Sequence, residues 1–269
     1  TFSVGKYHQF IATLQEDYNP TILDQWIAVD NSVSPAKSSQ IVLGYEEYIK
    51  DLYKIQVEGY YKDIKNLFTF EDTRATTDEA ISDSVLSDIV TPSDGYAYGL
   101  ELFAQKMSGR LSGWLAYTFS VSRKSMNSIF YEKEEEYYNS WDRTHSFSAL
   151  GNYIFNNKWD MNWKLSLQSG QAYTPIIGYY NQILPEGPDE VYRTIPGTRN
   201  SARYSPYSRL DLGIVYHTKL FGSKMDIYVQ VINILNKKNI FLKSYNVGST
   251  YNGLDDDGDW DEDKHDTNG

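Results

Sequence analysis

The sequence predicts an all-β fold: a portion of an antiparallel transmembrane β-barrel with about nine long strands, short turns at one end and long loops at the other. Three observations predict it. Apolar and polar residues alternate with period two over long stretches, which in a strand separates them onto opposite faces. Short and long connections strictly alternate along the chain, as short periplasmic turns and long extracellular loops do in outer-membrane barrels. No stretch approaches the ~18 apolar residues of a spanning helix. A mean hydropathy of −0.54 suits strands whose alternation averages out.

Nine strands are expected, at about 2–13, 39–50, 52–66, 96–107, 110–122, 142–156, 158–171, 204–219 and 224–238. In the first, Lys6 and His8 interrupt the apolar face. The second carries Tyr45 and Tyr48 near its end, where aromatic side chains suit a membrane interface. The third is the clearest: Ile55, Val57, Gly59 and Tyr61 face one way, and Lys54, Gln56, Glu58, Tyr60 and Lys62 the other. Tyr53, at its start, and Tyr98, in the fourth strand, extend the interfacial set. In the fifth, Leu111, Gly113, Leu115, Tyr117 and Phe119 oppose Ser112, Trp114, Ala116, Thr118 and Ser120. The seventh sets Trp159, Met161, Trp163, Leu165 and Leu167 against Asp160, Asn162, Lys164, Ser166 and Gln168. The eighth sets Leu210, Leu212, Ile214 and Tyr216 against Arg209, Asp211, Gly213 and Val215. The ninth sets Met225, Ile227, Val229 and Val231 against Asp226, Tyr228, Gln230 and Ile232.

Four connections are tight, around Asp51, Ser108-Gly109, Asn156-Asn157-Lys158 and Phe221 to Lys224. The others, about 14–38, 67–95, 123–141 and 172–203, are long, and all eight prolines fall in them or at a strand's start, where no ladder hydrogen bond is lost. Nine is odd, whereas single-chain bacterial barrels have even strand numbers. The expectation is therefore a partial outer-membrane barrel over 1–238, followed by an acidic extracellular loop or tail over 239–269.

Composition excludes several functions. A formal charge of −11 argues against a nucleic-acid partner, which calls for a basic face. The absence of cysteine removes disulfides, thiolate nucleophiles and zinc–thiolate sites. The first eight residues do not read as a signal peptide. There is no Gly-x-Ser-x-Gly elbow, phosphate-cradling glycine loop or His-Glu-x-x-His helix, and Glu46 and Glu47 point to opposite faces of one strand. Binding and gating, not bond making, is the expected chemistry.

Candidate site residues form three groups. In the tail, Asp255, Asp257, Asp259, Asp261 and Asp263 recur at every second position; residues 255–269 hold seven Asp and one Glu against one Lys, a formal −7. This reads as a solvated acidic loop, with calcium coordination as the alternative. In the long loops, Trp26, Glu134, Glu135, Tyr137, Tyr138, Tyr179, Tyr180 and Tyr251 could contact a sugar, a cationic ligand or an aromatic siderophore. On the wet face, Glu58, Glu101, Arg110, Lys164, Arg209, Asp211 and Gln230 read as a hydrogen-bonded lumen wall. The four histidines have no metal-ligand spacing and read as structural.

Six segments resemble, in order, the C-terminal barrel half of TonB-dependent outer-membrane receptors. They are Glu58-Gly59-Tyr60-Tyr61-Lys62-Asp63-Ile64-Lys65-Asn66-Leu67-Phe68; Tyr98 to Leu102 with Gly113 to Ser120; Trp141-Asp142-Arg143-Thr144-His145; Ser169-Gly170-Gln171-Ala172-Tyr173-Thr174-Pro175; Tyr207-Ser208-Arg209-Leu210-Asp211-Leu212; and Val231-Ile232-Asn233-Ile234-Leu235-Asn236. The resemblance implies a 22-stranded barrel in the Gram-negative outer membrane, filled by a plug domain and driven by the TonB complex. A plug domain and a TonB box are not among these residues. Its implied role is uptake of a scarce solute (siderophore, vitamin, glycan or peptide), in contact with membrane lipid and in some members with a surface lipoprotein. Two alternatives remain: a porin or adhesin without energy coupling, and a soluble all-β glycan-binding protein. The last requires the apolar stripes to be buried against a second sheet.

Overall fold

The computed structural model describes residues 1–14, 25–29, 34–69, 91–127, 134–183, 190–240 and 243. Among them are sixteen strands and no helix. In chain order these are β1 (Phe2–Gln9), β2 (Ile11–Leu14), β3 (Gln25–Ala28), β4 (Ala36–Ile49), β5 (Tyr53–Thr69), β6 (Thr91–Lys106), β7 (Leu111–Asn127) and β8 (Glu134–Tyr138). They continue with β9 (His145–Asn156), β10 (Trp159–Gln168), β11 (Ala172–Tyr173), β12 (Ile176–Ile183), β13 (Glu190–Pro196), β14 (Ala202–Arg203), β15 (Tyr207–Leu220) and β16 (Ser223–Val231).

Ten strands form one antiparallel sheet: nine run in the order β1-β4-β5-β6-β7-β9-β10-β15-β16, so each long strand pairs with its neighbours in sequence, and the short β8 pairs with β7 off this path. The nine on the path are those expected from period two. The path is open, with β1 and β16 at its edges.

Register follows from side-chain chemistry, because a slip of one residue would exchange the two faces. One row of directly opposed residues runs Ile55, Ala104, Leu115, Ala149, Leu165, Leu210 across six strands. An adjacent row on the other face runs Glu58, Glu101, Thr118, Ser146, Gln168. The sheet therefore has an apolar and a polar face over its full width.

The apolar face is bare. Leu43 (65%), Leu115 (47%), Ile214 (48%) and Val229 (63%) keep about half or more of their surface exposed. Among the described residues no helix or second sheet layer covers them. The buried apolar side chains are Val121, Met126, Tyr137, Ala149 and Ala172, and three of these, Met126, Tyr137 and Ala172, belong to the long-loop end.

The tight turns explain why one end is compact. Lys50 and Asp51 both take left-handed φ of 51°, and Leu52 N–H donates to Ile49 O, closing the β4–β5 turn. Phe221 (49°) and Gly222 (83°) make the two-residue β15–β16 turn. Paired left-handed residues match the twist of the flanking strands.

Several expectations need correction. The first strand is broken at Phe10, and its continuation β2 pairs with β3 instead of the main sheet. The ninth ends at Val231, not 238, because Asn233 and Asn236 adopt left-handed φ of 53° and 48° and turn the chain. Asn239 then bonds Ser208 at both backbone positions, at 3.0 and 2.9 Å. The long connections are not simply loops: they contain β2–β3, β8 and the ribbons β12–β13 and β11–β14. Tyr48 opposes Lys54 on the polar face, so it does not join the apolar-face aromatics. Arg110 precedes β7 in the 107–110 turn instead of lying on a strand.

Candidate functional site

The polar face and the long-loop end carry the functional side chains. On the polar face, Glu58 and Glu101 stand directly opposite each other, a like-charged cross-strand pair of a kind that opposes pairing. Lys164 opposes Asp211. Arg209 clamps Asp211 through Nε (2.8 and 3.0 Å) and Nη2 (2.8 Å), and Asn233 N–H donates to the same carboxylate at 2.8 Å. Asp211 thus both fixes Arg209 and anchors the turn after β16. Gln230 opposes Gly213 on the same face. Six of the seven expected wall residues therefore share one face; Arg110 is the exception.

At the long-loop end β7 carries two partners on one edge. β9 pairs with Leu111 to Phe119, and β8 with Arg123 to Asn127. Residues 139–144 interrupt what would otherwise be one strand. Asp142 repairs the interruption: its side chain, only 1% exposed, accepts the Ser122 N–H at 2.8 Å and pairs with Arg203 Nη2 at 2.6 Å. Arg203 Nη1 reaches the Asp142 and Gly170 carbonyls at 2.8 and 3.2 Å. A Cβ on Gly170 would lie 1.7 Å from Tyr204 O, so only glycine permits this approach.

The 196–204 segment packs against β7 and β8 here, with Arg199 on the polar face and Arg203 on the other. Met126 and Tyr137 occupy polar-face positions of β7 and β8, since Tyr137 opposes Lys124. Arg199, buried, donates to Met126 Sδ (3.2 Å) and the Tyr137 hydroxyl (3.4 Å) and lies over the Tyr137 ring at 5.0 Å. Asn200, 1% exposed, donates its side-chain N–H to the Tyr138 carbonyl at 2.8 Å and its backbone N–H to Thr174 Oγ1 at 3.0 Å. On the opposite side Tyr138 is flanked by the guanidinium groups of Arg123 (4.3 Å) and Arg203 (4.5 Å). Arg123 also pairs with Glu136, which accepts from the Tyr96 hydroxyl at 2.8 Å. These partners hold the Glu136 carboxyl below the usual range, Arg123 contributing most.

The loop residues singled out from the sequence fare differently. Tyr137 is 3% exposed and packs inward against Arg199, so it offers no open surface of the kind expected of a loop residue that meets a ligand. Tyr138 is half-buried between two arginines, and both residues lie on strand β8, not in a loop. Tyr179 (51%) and Tyr180 (40%) are exposed on the β12–β13 ribbon. Trp26, Glu134 and Glu135 lie on β3 and β8, but their side chains fall outside the described residues. Tyr251 and the tail aspartates Asp255, Asp257, Asp259, Asp261 and Asp263 also lie outside them. Sequence reasoning missed Asp142, Arg199, Asn200 and Arg203, whose partners are 20 to 73 residues away. Asp142-Arg143-Thr144 was visible only as a motif.

At the opposite end, past the Trp159–Tyr216 ring pair (4.6 Å), His217 bridges β10 and β16. Its Nε2 meets Asp160 at 2.9 Å and its Nδ1 meets Asp226 at 2.8 Å. With its two nitrogens turned to different carboxylates it is a latch. Among the described residues no group of three His, Asp or Glu side chains could hold a metal ion.

No family model matches this chain, and neither does any curated protein.

Proposed function

We propose that the sheet is part of the wall of an outer-membrane β-barrel, in a receptor–transporter that takes up a scarce solute. The carrying observation is the bare apolar face: rows of half-exposed Leu, Ile and Val span the sheet, and among the described residues no protein layer lies over them. In water a contiguous exposed apolar surface is rare on soluble proteins and marks an interaction site; in a bilayer it meets lipid. The open edges β1 and β16 carry unpaired backbone groups, and these require further strands in hydrocarbon. The polar face then lines the lumen, and the cap built on Asp142, Arg199, Asn200 and Arg203 stands over its outer mouth. Tyr179 and Tyr180 offer aromatic rings at that entrance. Energy coupling through TonB rests on the six ordered motif segments.

Two measurements test this. Partition into detergent micelles, with gel mobility that shifts on heating, is expected; a monodisperse chain without detergent overturns the membrane assignment. In cells expressing the complete reading frame, uptake is expected to stop when the proton-motive force is collapsed. Uptake that persists identifies a passive porin.

A further inference from the structure

The apolar face contains one depression with a charged rim. Gly113 and Gly151 oppose each other directly, and neither projects a side chain. Gly113 has φ of +150°, and a Cβ there would lie 2.1 Å from Leu150 O, so the notch cannot be filled from this position. A Cβ on Gly151 would sit 2.5 Å from the Trp163 ring, which leans over that glycine. Ile55, Ala104, Leu111, Leu115 and Trp163 wall a groove of about 350 Å³, the lower end of the range for small-molecule clefts.

At its turn-side end stands Lys106, which opposes Tyr53 and Gly113 and so belongs to the apolar face. Among the described residues no carboxylate pairs with it, whereas the other lysine of the lining, Lys54, is held by Glu46 at 2.8 Å. Lys50, Arg110 and Lys158 lie in the neighbouring tight turns, against Asp51 in the first of them and Glu47 opposite Ile55 on the same face, so basic groups outnumber acidic ones here in a chain of formal charge −11. An apolar groove ending in a free ammonium at the depth of the headgroups has the shape of one amphiphile.

We infer that the groove binds an anionic phospholipid of the turn-side leaflet, one acyl chain lying over Gly113 and Gly151 and the headgroup phosphate on Lys106. The inference rests on the membrane assignment. It adds a specific lipid to it. The site would fasten the barrel wall in one leaflet near β5–β10, where the paired glycines leave the sheet surface thinnest.

Native mass spectrometry of the protein released from neutral detergent micelles, with phosphatidylglycerol or phosphatidylcholine added, provides the test. Retained phosphatidylglycerol adducts, preferred over phosphatidylcholine, are expected. Lys106→Gln should lower that preference roughly fivefold, the effect of one basic residue at an anionic surface. Ala104→Trp, which fills the groove and keeps Lys106, should reduce adducts of both lipids. A micelle-soluble protein whose adducts ignore headgroup charge and both substitutions overturns the lipid site and leaves the membrane assignment standing. A protein that needs no detergent overturns both.

Discussion

Two regions of the molecule, the broad sheet and the small cap at its long-loop end, are stabilised by opposite chemistry. The broad sheet buries almost nothing on its apolar face, while the small cap at the long-loop end buries Asp142, Thr174, Arg199 and Asn200 together with Met126, Tyr137 and Ala172. An interior made of an aspartate, an arginine and amides holds only when nearly every polar atom has a partner. The cap meets that condition through Ser122 N–H, the Gly170 and Tyr138 carbonyls and the paired Arg203. The sheet meets the complementary one: its hydrogen bonds are satisfied along the ladders, and its apolar side chains need only an apolar surrounding. Order in the cap is internal, whereas the sheet depends on what lies outside it.

Removing a cap partner should therefore produce the largest effect. Asp142→Ala strands Arg203 and the Ser122 N–H in a buried setting, at a cost of about 3 kcal/mol, the lower end for a broken buried pair because Arg203 is 30% exposed. Hydrogen exchange should show the loss confined to residues 120–122, 139–144 and 198–204, with the β4–β6 ladder unchanged. Asp142→Asn, which keeps an acceptor for Ser122, should lose less. Uniform loss across the sheet would show that cap and wall are not separate units.

Next in size is the contrast between faces. Leu115→Arg at the middle of the apolar face should cost ~2–4 kcal/mol in a bilayer, while Ser112→Arg on the polar face should be mild. Folding titrations into lipid vesicles measure both. Equal costs would mean that the apolar face does not meet lipid, and the contrast between the two regions would lose its basis.

Much of the sheet was legible because strand periodicity is local. Val57, Leu115 and Leu165 declare their face through their immediate neighbours, and the existence and order of the nine long strands, though not the ends of the first and the last, follow from such neighbours. The cap was illegible for the converse reason. Arg199 reaches Met126, 73 residues away, and Arg203 reaches Asp142 across 61; neither stands in a periodic context. Tyr137 shows the hazard: beside a run of glutamates it reads as a ligand-facing loop residue, yet its strand pairing turns it inward against Arg199. The end of β16 went unseen because Val231-Ile232-Asn233-Ile234-Leu235 continues an apolar run, and only the left-handed Asn233 breaks it.

The long-loop end should also respond to pH, the smallest of these effects. Glu136 has a depressed pKa in the folded chain, so the contribution of its pairing with Arg123 is complete above the ordinary glutamate value of about 4.3 and is lost as pH falls through the folded value. Acid should therefore loosen the β7–β8 hairpin. Exchange protection of the β8 amides, corrected for intrinsic rates, should fall as pH drops below that value, and Glu136→Gln should flatten the dependence. A pH response of β8 that survives Glu136→Gln would mean that the pair with Arg123 is incidental and that the hairpin is held by its ladder alone.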